Sequence, residues 1–133
     1  ALPARPEYKD VVAEVKSHLL ERAKAALAAG IAREEILLDP GIGFGKNVAQ
    51  NLELLRRLRE LTATGYPILV GASRKQTIGT VLGGLPPDDR REGTAATVAI
   101  AIAYGAAIVR VHDVKEMARV VKMSDAIVRG WAG

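Results

Sequence analysis

Three short apolar runs, at residues 36–38, 68–72 and 107–111, recur along the chain with helical stretches before, between and after them. Apolar residues follow one another there with little polar alternation, as in strands buried on both faces. Strands of that kind form parallel sheets covered by helices. Their spacing of about one βα unit is what a repeating (β/α) architecture requires. Three strands are too few to close a barrel, and parallel edges this apolar need partners. The expected fold class is therefore α/β, with the chain incomplete as a sheet on its own.

The helical stretches are read from periodicity. Over residues 9–29, Val12, Val15, Leu19, Ala23 and Ala26 recur at three and four residues, and Gly30 supplies a stop. A second helix is expected over 50–63 with Leu54, Leu55, Leu58 and Leu61, and a short one over 76–82. Residues 83–91 hold two glycines, two prolines and two aspartates and read as a loop. An Ala-rich helix over 94–104 stops at Gly105. A last helix over 115–128 carries Met117, Ala118 and Val121 on one side. Tyr8, Tyr66 and Tyr104 read as packing residues, and His18 as a solvated surface histidine.

Each strand ends in residues that a core rejects. The first ends in Asp39, the second in Ser73-Arg74-Lys75, the third in Arg110, His112 and Asp113. Ligands of parallel α/β folds bind at that edge. Arg110 and His112 are two residues apart and share a strand face, with Val109 and Val111 on the other. Side by side they form a clamp suited to phosphate or pyrophosphate; alternatively, Arg110 pairs with Asp113. Asp39 offers a carboxylate to paired N–H donors of a 2-aminopyrimidinone, or caps a turn through its own backbone. Lys75 suits a carbonyl or ring nitrogen and Arg74 an anion. The strand is expected to turn at that point.

The run Gly41-Ile42-Gly43-Phe44-Gly45-Lys46 is not a Walker A loop, because Pro40 stands where the first glycine belongs and Asn47 replaces Ser or Thr. Nor is it the dinucleotide fingerprint, since its third glycine comes one residue early. It reads as a loop over the strand ends, with Phe44 either covering a ligand or anchoring the loop onto the sheet.

Composition narrows the classes. Among 133 residues there is no cysteine, which excludes disulfides and thiolate metal sites. The +4 charge arises from 19 basic and 15 acidic residues that are interspersed, and only 4% are aromatic, unlike the basic stripe and stacking residues of a nucleic-acid binder. No apolar run approaches the ~18 residues of a membrane span. The opening Ala1-Leu2-Pro3-Ala4-Arg5-Pro6 lacks the pattern of a signal peptide. A cytoplasmic segment of a longer protein is expected.

Asp39-Pro40-Gly41-Ile42-Gly43-Phe44-Gly45-Lys46, Gly71-Ala72-Ser73-Arg74-Lys75 and Arg110-Val111-His112-Asp113-Val114, with Arg91-Glu92-Gly93-Thr94-Ala95-Ala96 between the last two, resemble in order and spacing the motifs of the dihydropteroate synthases. The resemblance runs over nearly the whole chain. It implies an eight-stranded (β/α) TIM barrel in which residues 1–133 form the C-terminal portion of one pterin-binding domain: the last three βα units and the preceding helix. It implies a transferase of folate synthesis, condensing 6-hydroxymethyl-7,8-dihydropterin pyrophosphate with p-aminobenzoate. Asp39 and Lys75 match pterin-binding residues, Phe44 lines the aminobenzoate and sulfonamide pocket, and Arg110 and His112 hold the pyrophosphate. Gly71, Ser73 and Arg74 complete the substrate-binding set, and Lys75, Arg110 and His112 form the catalytic one. Mg²⁺ is implied, with its ligands on the part N-terminal to this chain, as is a homodimer. Gln76 departs from the small or basic residue expected there. The isolated segment is expected to be inactive. Alternatives are a methyltetrahydrofolate-type methyltransferase of the same barrel, or a non-catalytic pterin- or anion-binding fragment.

Overall fold

A computed structural model describes residues 8–133; the opening hexapeptide considered above lies outside them. Helix α1, Val11–Ala28, starts where Asp10 turns from extended backbone and accepts from the N–H groups of Val12 and Ala13, both at 3.1 Å. Those donors have no partner within the helix, which is why an aspartate sets its start. The expected stripe is the buried one: Val12, Val15 and Ala23 enter the core, with Leu19 and Ala26 packed against it.

After a 3₁₀ turn at Arg33–Glu35, the first apolar run forms a single parallel bridge between Leu38 and Ile68. Strand β1, Leu69–Val70, then pairs in parallel with β2, Ile108–Val109. The three runs thus lie side by side in chain order, with ladders shorter than the runs. Run length reports burial, whereas ladder length reports where staggered neighbours overlap: Leu38 aligns with Ile68, but Ile108 aligns with Leu69.

Alternate residues face opposite sides. Ile36, Leu38, Ile68, Val70 and Ala72 are buried beneath helices. Among the described residues the opposite face is bare, leaving Leu37 46% and Ile108 42% exposed. The same side, by alternation, carries Asp39, Gly71 and Arg110.

The helix expected over 50–63 is two: α2, Val48–Arg56, and α3, Leu58–Thr62. It starts earlier than its leucines indicate because Asn47 and Gln50 form a reciprocal capping box, with bonds of 2.8 and 2.9 Å. The break falls at Arg57, whose guanidinium reaches across to Asp10 at 3.0 and 3.2 Å and to Glu60 at 2.5 Å. This pairing lies outside any local periodicity. Leu54 and Leu58, both fully buried, each contribute ~1.5–3 kcal/mol relative to exposure.

Helix α4 covers Gln76–Val81. Part of the expected loop is ordered as a 3₁₀ turn at Pro87–Asp89, and α5, Arg91–Ala103, begins before residue 94. A charged, glycine-containing first turn hid that start. Helix α5 closes with paired bonds from Gly105 N–H to Ile102 O, 3.0 Å, and from Ala106 N–H to Ala101 O, 2.9 Å. Gly105 takes φ +100 there, with Thr62 Oγ1 only 3.0 Å from where a Cβ would sit. Helix α6, Val114–Arg129, packs on α5 through Met117, Val98 and Ile102. Val121 packs beside Met117 as expected, whereas Ala118, expected on the same side, is exposed and Val120 joins the cluster in its place.

Tyr66 is buried and Tyr8 and Tyr104 pack on the core, whereas His18 is exposed, all as expected. Among the described residues, no helix is long and apolar enough to cross a membrane.

Candidate active site

Asp39 leaves the first strand with its Oδ1 accepting from the Gly41 N–H at 2.8 Å. The turn-capping role considered for it is therefore real, yet it occupies one oxygen only. Among the described residues Oδ2 has no hydrogen-bond partner, and the residue is exposed. Capping and ligand binding are compatible.

The glycine-rich loop that follows is anchored by Ile42, which is fully buried, and not by Phe44, which is 62% exposed. A polar anchor assists: Asn51 on α2 accepts from the Gly43 N–H at 2.9 Å and donates to Thr77 Oγ1 at 2.9 Å. So held, the loop lies against Lys75. The ammonium sits 4.5 Å from the Phe44 ring centroid and donates to the Ile42 carbonyl. Gly43 has φ +87, and a Cβ there would stand 2.8 Å from Lys75 Cδ, so a side chain would strain the backbone and push Lys75 aside.

Lys75 carries a pKa below the ordinary lysine value. Burial is the main cause and the positive Arg110 adds to it, while Asp39 opposes both. Lys46 is lowered too, by burial first and by Lys75, again against Asp39, and donates to the carbonyls of Gly41 and Phe44 at 2.9 and 3.0 Å. Two lysines, Arg110 and one carboxylate thus share a small volume.

The Ser-Arg-Lys segment turns sharply, as expected. Arg74 adopts φ 56, a left-handed conformation that costs a non-glycine residue ~1–2 kcal/mol. Three contacts hold it. Its N–H donates to Thr94 Oγ1 at 3.1 Å, its carbonyl accepts from Arg90 at 2.7 Å, and its guanidinium grips both oxygens of Asp113 at 2.7 and 3.2 Å. That hydrogen-bonded pairing, helped by Arg91 at 3.5 Å, keeps the Asp113 carboxyl below its ordinary pKa. Arg74, expected to face an anion, is thus engaged with Asp113.

Asp113 is consequently not the partner of Arg110. Among the described residues Arg110 makes no side-chain hydrogen bond or ion pair and is exposed, its Cβ 3.8 Å from where a Cβ on Gly71 would stand. His112 is exposed as well, with Nδ1 2.8 Å from the hydroxyl of Ser73. Asp39, Gly71, Lys75, Arg110 and His112 converge at the carboxyl ends of the strands, while Ser73 and Arg74 turn to the second layer. A 430 Å³ apolar groove between α2, α4 and α5, lined by Leu52, Leu55, Ile78 and Ile100, contains none of the five.

Asn51, Arg90 and Thr94 were missed by sequence reasoning. Asn51 and Thr94 had a signal: each continues a buried stripe, Asn51 with Leu54, Leu55 and Leu58, and Thr94 with Val98, Ala101 and Ile102. A polar residue in an apolar stripe needs a buried partner. Arg90, in a loop, had none.

The sequence profile of the pterin binding enzymes matches residues 2–112. The chain belongs to that family. Among its relatives, the dihydropteroate synthase of Bacillus subtilis (strain 168) is 48% identical over 126 residues, covering 93% of this chain and 44% of that protein. The chain therefore spans less than half the length of this relative. A dihydropteroate synthase structure from Clostridium difficile in the presence of pteroic acid superposes with a TM-score of 0.89 at 47% identity, covering 94% of this chain and 47% of that one. One from Thermus thermophilus in complex with 6HMPPP gives 0.88 at 45% identity, covering 96% and 51%.

Proposed function

We propose that this segment is the C-terminal half of a dihydropteroate synthase. The complete protein joins 6-hydroxymethyl-7,8-dihydropterin pyrophosphate to p-aminobenzoate, yielding 7,8-dihydropteroate and pyrophosphate in folate synthesis. The observation that carries the reading is the unpaired Arg110 beside His112 at the same strand ends as Asp39 and Lys75. Relatives named for this activity, at 46–49% identity, support it over methyl transfer.

In this reading the C–O bond at the pterin methylene breaks with its electron pair passing to the pyrophosphate. The arylamine nitrogen supplies the new bond to that carbon and then loses a proton. Negative charge grows on the leaving group in the transition state, so Arg110 and His112 stabilise it more than the ground state. Asp39 accepts from the pterin's ring N–H and amine through its free oxygen. Lys75 donates to the pterin carbonyl or ring nitrogen, exchanging the Ile42 carbonyl for it. Phe44 stacks near the aminobenzoate ring, the position a sulfonamide shares. Gly71 leaves space between Arg110 and Lys75.

The bare sheet face is taken as inner wall of an eight-stranded (β/α) barrel whose last three strands are these; exposed Leu37 and Ile108 support this, since both are apolar. Mg²⁺, which the resemblance implies, takes its ligands from the N-terminal half in this reading; among the described residues no group of three His, Cys, Asp or Glu could hold a metal ion. The same proposal includes a cytoplasmic homodimer, for which the exposed Leu52, Val81 and Ile100 of α2, α4 and α5 offer an apolar surface.

Calorimetric titration of dihydropterin pyrophosphate into the segment, with and without the N-terminal half supplied, tests the reading. Binding with both halves and none with the segment alone is expected. No binding in either mixture refutes it, and full affinity for the segment alone refutes a shared site.

A further inference from the structure

Ser73 is 5% exposed, and its hydroxyl oxygen meets two nitrogens of one residue: the backbone nitrogen of His112 at 3.1 Å and its Nδ1 at 2.8 Å. The backbone N–H is a donor only, so it occupies one acceptor site of the oxygen. The hydroxyl proton then requires an acceptor, and among the described residues Nδ1 is the one in reach. With a proton on Nδ1, the oxygen would receive two donors and its own buried proton would point at nothing. Nδ1 is therefore the acceptor, and the neutral ring carries its proton on Nε2. Because the ring is exposed, that Nε2–H is free to meet a ligand. Both bonds join turns 39 residues apart, so the ring's direction is set by the end of the neighbouring strand and not by its own.

We infer that Ser73 is a positioning residue: it holds His112 as the Nε2–H tautomer, aimed outward as a hydrogen-bond donor to the leaving phosphate oxygens without contacting the substrate itself. The inference rests on the proposed role of His112. It assigns Ser73 a role other than the direct substrate contact that the motif implied. A neutral donor ready in the correct tautomer needs no rearrangement as charge develops. The second-layer hydroxyl does here for an anion site what outer partners do for metal-bound histidines.

The test uses a full-length enzyme carrying this segment, labelled with ¹⁵N, with His112→Gln assigning the ring signals. Long-range ¹H–¹⁵N correlation above the imidazole titration is expected to show the Nε2–H tautomer. In Ser73→Ala the two tautomers should mix, kcat should fall about tenfold and pyrophosphate inhibition weaken about tenfold, the scale of one donor lost in part. KM for p-aminobenzoate should stay within about twofold on the same reasoning, and Ser73→Thr should restore tautomer and rate. An Nδ1–H tautomer in the parent enzyme overturns the inference, as does Ser73→Ala with an unchanged tautomer. The tautomer measurement needs no turnover, so absence of condensation activity would sink the proposed function while leaving the Ser73 assignment decided by the ring signals. A misfolded Ser73→Ala likewise leaves the parent and Ser73→Thr spectra to decide.

Discussion

Removing Asn51 should cost stability and substrate affinity by separable routes. This side chain is 2% exposed and spans two elements, accepting from Gly43 of the loop and donating to Thr77 of α4, both at 2.9 Å. The two bonds are unequal. Thr77 is buried, so Asn51→Ala leaves its hydroxyl without a partner at about 1–3 kcal/mol. Gly43 is exposed, water replaces its lost partner, and that side costs under about 1 kcal/mol. The single substitution should thus destabilise by about 2–3 kcal/mol in urea unfolding of the full-length enzyme. Replacing both polar partners, as Asn51→Leu with Thr77→Val, leaves no orphaned group between the helices. Such exchanges are close to neutral, so most of the stability should return. The loop anchor would not return. Phe44 and the Ile42 carbonyl would lose their fixed relation to Lys75, and KM for p-aminobenzoate should stay raised at least severalfold in the double variant. Recovery of both stability and KM in the double variant would refute the argument. So would an Asn51→Ala variant as stable as the parent.

Arg110→Ala in the full-length enzyme should lower kcat at least about tenfold, since loss of one such donor raises a barrier by ~2–4 kcal/mol; unchanged steady-state turnover would remove the clamp from the mechanism. Gly43→Ala should weaken pterin binding in calorimetry, because the added Cβ would meet Lys75 Cδ at 2.8 Å and must displace it, and the φ +87 backbone adds strain. Asp113 has its pKa lowered by Arg74, so its stabilisation is present above the ordinary carboxylate pKa and is lost as pH falls below about 4. Thermal unfolding followed from about pH 6 down to pH 3 should accordingly show a shallower acid decline in Asp113→Asn than in the parent.

Much of the candidate site was legible in the order of residue types. Asp39, Lys75, Arg110 and His112 were found because polar groups closing apolar runs are anomalous, and the structure brings them to one edge with Gly71 among them. The partners of Arg74 and Ser73 were not legible. The resemblance implies a substrate contact for both, yet a left-handed turn at Arg74 goes with a guanidinium on Asp113 and a serine hydroxyl on His112. Alternation along an extended strand says nothing once the chain leaves extended geometry. Strand lengths and the break at Arg57 were misjudged for a related reason, since both depend on a neighbouring element.

Periodicity and polarity along this chain determined which segments are helices, which runs pair in parallel and which side chains stand at the strand ends. These are properties of residues close in sequence, and solvent sorts them locally. Tertiary structure alone decided who pairs with whom: Asp113 with Arg74 and not Arg110, Asn51 with both a loop and a helix, and Ser73 with the ring of His112. Hydrogen bonds fall away within a fraction of an ångström and depend on direction, so their partners exist only once the elements have docked.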